Sequence, residues 1–308
     1  MNLNNSVLGS KKSGFASLAA TGLASIFILG LLGSAAIAAE KISNNPNYLE
    51  PGAKRFEELN PKDFDKSENI NHEWLALKPG MEWIFDGVST DDEGKKVPHR
   101  ITFTVTDLIK VIGGVRTRMS YETDTVEGKV IEREVIFHAQ DKVGNVWHFG
   151  QYTESYEEGD FVGGQAWVVD NPEGAKAGIM MPATPKVGSL SYSEGYAPHP
   201  FNWTDRGRVY KMGQKDKVPA GSYDNVLIIE EYDAKSKADA YQLKYYAPGV
   251  GNIRVHWRGK NAKEREELQL TKVHQLDAKG LLEVRGFAME LEKRALLYSV
   301  MPAAEVSP

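Results

Sequence analysis

The sequence predicts a mainly β chain: an antiparallel meander forming an open half-barrel or sandwich, preceded by an extended N-terminal arm and closed by one C-terminal amphipathic helix. Three observations predict it. From Met81 onward apolar and polar residues alternate with period two, as in Ile101, Phe103 and Val105, the pattern of strands with one buried face. Turn signals at Asp91 to Gly94, Gly113-Gly114, Glu127-Gly128 and Asp141 to Asn145 space these runs as successive hairpins. Near the C-terminus the apolar period lengthens to three and four residues, in Leu281, Val284, Phe287, Ala288, Leu291 and Ala295, which places one greasy stripe on a helix.

Taken in order, the chain begins with Lys11 and Lys12 ahead of an apolar run from Phe15 to Ala39 that contains Ala36-Ile37-Ala38. A basic start, an apolar stretch and a small-x-small site describe a secretory signal peptide over residues 1–38, cleaved after Ala38. Ser, Thr and Gly dilute the run, which distinguishes it from a retained membrane anchor. Residues 39–77 are rich in Asn, Pro, Lys and Glu and read as an extended arm laid on the domain, with one short helix candidate, Ala53 to Leu59. Residues 78–276 form the antiparallel β domain. Within it "NPEGAKAGIMMPATPKVG", Asn171 to Gly188, reads as a long ordered loop, because repeated Gly and Pro interrupt regular structure. Further strands are expected at Leu190 to Tyr196, Arg208 to Met212, Tyr223 to Tyr232, Tyr241 to Tyr246, Asn252 to Trp257 and Glu266 to Val273, and residues 277–308 supply the helix and tail. In "YYAPGVGNIRV", Tyr245 to Val255, alternation runs on both sides of the glycines. A phosphate-cradling loop needs a helix after it, so these glycines are expected to shape a turn between strands.

Composition excludes several classes. The chain of 308 residues has no cysteine, hence no disulfide, no thiolate nucleophile and no Cys-ligated zinc. Two of its 37 basic residues, Lys11 and Lys12, lie in the leader and none of its 42 acidic residues does, so the mature charge is −7. That balance argues against nucleic acid or anionic lipid as a partner. The expected location is periplasmic or extracellular, with no transmembrane span after cleavage and no cofactor.

The candidate site residues fall in three places. His138 and His148 flank the "QDKVGN" turn, and two imidazoles on paired strands are the best metal candidates. If Asp141 pairs with Asn145 they face each other, whereas pairing with Gly144 turns them to opposite faces; a third ligand must still be found, for which the sequence offers Glu154 or Glu134 with nothing that selects either. "PHPFNW", Pro198 to Trp203, places His199 and Trp203 on a proline-stiffened loop. The segment Trp147 to Val169 alternates rings with carboxylates, so Trp147, Tyr152, Glu154, Tyr156 and Trp167 join His199 and Trp203 as the candidate binding set, where rings offer contact area at little entropic cost. The carboxylate runs Asp91-Asp92-Glu93, Glu157-Glu158-Asp160 and Glu230-Glu231 sit beside turns or at strand ends and read as solvated faces. No G-x-S-x-G, H-E-x-x-H or S-x-x-K motif is present, so no residue is assigned a catalytic role.

Several stretches carry a resemblance: "LKPGMEW" at Leu77, "AQDKVGNVWHFG" at Ala139, "GIMMPATPKVG" at Gly178 and "KYYAPGVG" at Lys244. With their surroundings they resemble a family of exported bacterial proteins with no established activity. The second half is also similar to small exported domains with open, lipoprotein-carrier-like half-barrels. The resemblance implies export and β architecture and transfers no catalytic residue; the chain departs from it at His138 and His148, where aromatic residues would be expected. The function expected is therefore a non-catalytic binding or carrier protein of the cell envelope, for an apolar molecule or a glycan. The alternatives are a metal-dependent or other hydrolase using His138, His148 or His199, and a structural protein whose arm docks on a partner.

Overall fold

The period-two alternation becomes one antiparallel sheet of 15 strands that curls until its two ends nearly meet. The computed structural model describes residues 49–91, 94–199, 201–233, 239–260, 266–298 and 306–307; the expected leader lies outside the described residues. In the arm, β1 (Ile70–Asn71) and β2 (Ala76–Leu77) form a small separate hairpin. The first half of the sheet is β3 (Met81–Thr90), β4 (Lys96–Ile112), β5 (Val115–Val126), β6 (Lys129–Gln140), β7 (Val146–Glu157), β8 (Asp160–Val168) and β9 (Lys176–Met181). The second half is β10 (Tyr192–Ser193), β11 (Gly195–Tyr196), β12 (Asp205–Val218), β13 (Gly221–Asp233), β14 (Tyr241–Ala247), β15 (Gly251–Arg258) and β16 (Glu267–Gln275). Helix α1 (Ala278–Tyr298) follows, and β17 (Val306–Ser307) adds to β4. Among the described residues no helix is long and apolar enough to cross a membrane.

Hairpin neighbours pair in sequence order, and β16 pairs with β3 to join the two halves. Closure comes from a single short segment. β10 pairs with β12 while β11, one residue further on, pairs with β9. Tyr192 to Tyr196 therefore lies at both ends of the sheet, and Glu194 between them donates its N–H to the Asp205 carbonyl at 2.9 Å. The expected meander with one C-terminal helix is what the chain forms, and this segment carries the curl beyond an open half-barrel.

Two sequence expectations are corrected. Asn171 to Gly188 is not all loop, because β9 runs through it between Pro172 and Pro182 and pairs with β7 and β11. Gly178 sits mid-strand there for a steric reason: a β-carbon would lie 2.0 Å from the Gly195 backbone nitrogen. Ala53 to Leu59 is not helical. Arg206, 2% exposed, reaches across to donate to the carbonyls of Lys54 (3.0 Å) and Arg55 (3.2 Å), taking acceptors that a helix would use for itself. The Ser193 N–H likewise donates to Glu57 Oε1 at 3.1 Å. These contacts commit the described part of the arm, residues 49–77, to its own barrel.

Alternation sorts side chains to two cores. Outside the barrel, Leu108, Met119, Val135, Phe137 and Tyr152 pack beneath Ala288, Leu291 and Ala295 of α1. Phe287 remains 47% exposed and stacks on Tyr121. Asp277 caps the helix by accepting from the Gly280 N–H at 2.8 Å. Ion pairs of Arg285 with Asp107, Glu292 with Lys110 and Arg294 with Glu154 fasten it to the sheet. Inside, Phe85, Ile101, Val105, Leu227, Ile253 and Leu270 build the second core.

Candidate functional site

Cross-strand partners share a face, so the register draws the lining of the barrel. Trp83, Phe103, Glu122 and Glu134 are successive partners across β3 to β6, and Phe85, Ile101, Asp124 and Glu132 form the next row. Along single strands the inward positions run from His138 and Ile136 to Glu134 and Glu132 on β6, and from Phe103 and Ile101 to His99 on β4, so the interior is more apolar toward one end and dense in polar side chains toward the other.

At the apolar end lies a cavity of about 60 Å³. The arm supplies Leu75 and Leu77 to its wall, β3 supplies Trp83 and Phe85, and Phe103, Ile136, His138 and Met180 come from β4, β6 and β9. The corner between β14 and β15 completes it with Tyr246, Gly251 and Asn252. No lining side chain carries a formal charge, apart from what His138 would gain on protonation. That corner is the "YYAPGVGNIRV" stretch, and it is the expected hairpin turn, with Ala247 paired to Gly251. It also ties the site together. The Val250 carbonyl accepts the Trp83 indole N–H at 2.7 Å, and the Gly249 N–H donates to the Glu73 carbonyl of the arm at 2.7 Å. Asn252 is 8% exposed; its Oδ1 accepts the Arg254 N–H at 3.0 Å, while its Nδ2 is buried with no partner, as is His138 Nδ1.

Beyond His138 the interior continues as a cluster of rings. Asp141 N–H donates to the Asn145 carbonyl at 3.0 Å, the pairing that turns the two histidines together, and His138 and His148 are stacked with ring centres 5.6 Å apart. His148 meets Trp167 edge-on at 4.9 Å and Trp203 at 5.8 Å. Its Nδ1–H donates to the Glu194 carbonyl at 3.3 Å, which leaves Nε2 as an unpartnered lone pair. Burial, reinforced by the His148 ring and Lys244, drives His138 well below the usual imidazole range. Burial also brings His148 down to about 4. Both are neutral rings at neutral pH. Among the described residues no three His, Asp or Glu side chains converge as metal ligands. Glu154 points out of the barrel to Arg294, and Glu134 is engaged by Thr153 and Gln151.

The candidate binding set is divided by the alternation of β7. Trp147, Tyr152, Glu154 and Tyr156 face outward. Trp147 packs on Phe64 of the arm (5.9 Å), Tyr152 and Tyr156 donate to Glu154, and Arg294 of α1 holds that carboxylate through two hydrogen bonds of 2.6 and 2.9 Å. Burial disfavours the Glu154 charge, but the bonds from Arg294 and both tyrosines outweigh it and lower its pKa. Trp167 and Trp203 join His148 inside, while His199 is exposed on the following loop. Sequence reasoning missed Trp83, Phe103, Ile136, Tyr246 and Asn252; the first four occupy inward positions of alternating runs, whereas Asn252 is brought opposite Tyr246 by a register shift in β15 that breaks the alternation.

The polar end surrounds Lys244, which is 1% exposed and ion-paired with Glu231 at 2.7 Å. Burial raises the pKa of Glu134 to about 8 and of Glu266 to about 7, and pushes Asp124, Glu231 and Glu194 upward as well. His99 bridges Asp124 (2.6 Å) and Glu266 (3.3 Å); burial opposes its charge, but these carboxylates raise its pKa. Glu230 and Glu231, read from sequence as a solvated pair, are 0% and 4% exposed. Glu230 instead anchors Arg208 and Arg258, so the run is a buried hub.

No protein-family model matches the chain, and no curated protein matches it. Solved structures align with about two thirds of it. One, from Bacteroides fragilis, is described as an exported protein with a YmcC-like fold; it is 12% identical at a TM-score of 0.38, over 67% of this chain and 100% of that one. Another, described as a lipoprotein from Parabacteroides distasonis, is 14% identical at a TM-score of 0.37, over 66% of this chain and 99% of its own.

Proposed function

We propose that the chain is an exported, non-catalytic binding or carrier protein of the bacterial envelope that takes a small apolar ligand inside its barrel. The observation that carries this reading is the cavity beneath the arm, walled by Leu75, Leu77, Trp83, Phe103 and Ile136. Pockets of this kind bind through apolar contact and use a few polar groups for orientation. A glycan fits the same lining less well, because it would bring many hydroxyls against one amide, one imidazole and one phenol. The hydrolase alternative loses support from the same geometry, since His138 and His148 are neutral and stacked on each other, no carboxylate lines the cavity that His138 faces, and His199 is exposed outside it.

Filling the cavity tests the reading. Ile136→Phe should abolish the change in tryptophan fluorescence that short alkanes or ketones produce through Trp83, while the unfolding midpoint stays within a few degrees of the parent. Undiminished binding by a folded Ile136→Phe protein, or no response of the parent to any apolar probe, would refute it.

A further inference from the structure

We propose that the cavity selects a neutral molecule bearing one carbonyl oxygen, held by the Asn252 side-chain amide, and excludes charged molecules of the same length. This rests on the apolar-ligand reading above and adds the chemistry of the head group.

Two features carry it. The first is the donor. Asn252 is fixed by its Oδ1, which accepts the Arg254 N–H at 3.0 Å, so its amide cannot rotate freely and its Nδ2 is left as a buried donor without a partner in the cavity wall. Buried amide N–H groups are ordinarily paired, and leaving one unpaired is unfavourable. His138 Nδ1 is unpartnered in the same wall. A carbonyl oxygen placed against the Asn252 amide would satisfy the donor that the protein leaves open, and His138 in its Nδ1–H tautomer would offer a second donor in the same wall. The second feature is the missing counter-ion. The lining contains no Lys, Arg, Asp or Glu, and His138 is neutral. A carboxylate or ammonium brought into such a space gives up its hydration and gains no opposite charge, which is prohibitive beside a neutral carbonyl.

Size narrows the class further. A water needs roughly 10–15 Å³ of cavity on this scale, so about 60 Å³ holds a chain of a few carbon atoms, such as the end of an acyl ester or a short ketone. The neutral amide, phenol and imidazole would then meet one end of the ligand, and the rings and aliphatic side chains the other.

Four six-carbon probes on the purified protein at neutral pH separate the outcomes: methyl butyl ketone, hexane, hexanoate and hexylammonium, followed by tryptophan fluorescence and calorimetry. The ketone should bind about ten-fold more tightly than hexane, the equivalent of one hydrogen bond near 1.4 kcal/mol, and the two ions at least a hundred-fold more weakly than the ketone. Asn252→Leu should erase the preference for ketone over hexane while hexane still binds. The series on the unaltered protein decides by itself even where Asn252→Leu fails to fold. Equal binding of ketone and hexane, as a resident water on Asn252 would produce, overturns the proposal, and so does an ion that binds as tightly as the ketone; in both cases the apolar-ligand reading survives. Binding of none of the four overturns both.

Discussion

Arg294→Met is the most informative single change on the outside of the barrel. Glu154 is wholly buried and accepts four hydrogen bonds: two from Arg294, one from Tyr152 and one from Tyr156. Removing one member of a buried ion pair costs about 3–5 kcal/mol when the remaining charge has nowhere to turn. Here both tyrosine donors remain, and the Arg294 side chain is 31% exposed, so water partly screens the pair. The expected loss is therefore about 2 kcal/mol, read from urea unfolding with an unchanged slope. Adding Glu154→Gln should recover about half of it, because the orphaned charge is gone. The pH dependence has a definite sign. The folded-state pKa of Glu154 lies below its ordinary 4.5, so the pair's contribution is complete above that value and vanishes as pH falls through the folded value. The gap between Arg294→Met and the parent should accordingly narrow in acid. A loss under about 0.5 kcal/mol at neutral pH, or a gap that does not narrow in acid, would refute the reasoning. Ligand binding should be untouched, since α1 packs on the outer face and the cavity opens inside.

Three further outcomes are expected. Gly249→Ala and Gly251→Ala should each cost about 1 kcal/mol, because φ is +73° and +103° while an added β-carbon meets nothing within 4 Å at the first and only the Trp83 indole at 3.5 Å at the second; unchanged thermal midpoints would contradict this. Burial holds protons on Glu266 up to about pH 7 and on Glu134 up to about pH 8, against an unfolded value of 4.5. The folded chain thus binds more protons than the unfolded one across that window, and these two groups make stability fall as pH rises from about 5 to 8; urea midpoints that climb over the same range would count against it. Lys244→Met should cost about 3–5 kcal/mol at pH 8, where Glu231 loses its buried cation, and clearly less at pH 5, where the surrounding carboxyls take up protons; an equal cost at both values would show that the ion pair is not the reason.

Strand alternation made most of the sheet legible, because a strand buried on one face repeats every two residues wherever it lies. The turn at Asp141 to Asn145 shows the limit. A single residue of register decided whether His138 and His148 met, and only the paired strands could settle it. Strand β9 was hidden because Pro172, Gly174, Gly178 and Pro182 read as loop, whereas Gly178 is required by the close approach of the Gly195 backbone. The helix expected at Ala53 to Leu59 failed against Arg206, which arrives from far along the sequence to claim the same carbonyls. The candidate site suffered most. Carboxylates at alternate positions, such as Glu122, Asp124, Glu132 and Glu134, suggest a solvated face in any single strand. Their partners across the sheet turn that face inward, and no local pattern distinguishes the two cases. The cavity wall joins residues from the arm, four sheet regions and the corner, so it exists only once the sheet has curled.

The segment Tyr192 to Tyr196 works as a clasp. Each seam it closes is two residue pairs long, against eleven between β4 and β5. Long hairpins such as β4–β5 can form as the chain folds from its local contacts, but the clasp has nothing to grip until β9 and β12 have both arrived. Closure therefore belongs to the last stage of folding, and in the native protein to the first stage of opening. Such an opening would release both seams together rather than one strand pair. Amide protons at Gly195 and Tyr196 should consequently exchange faster than those of β4 and β5 while the rest of the barrel stays intact.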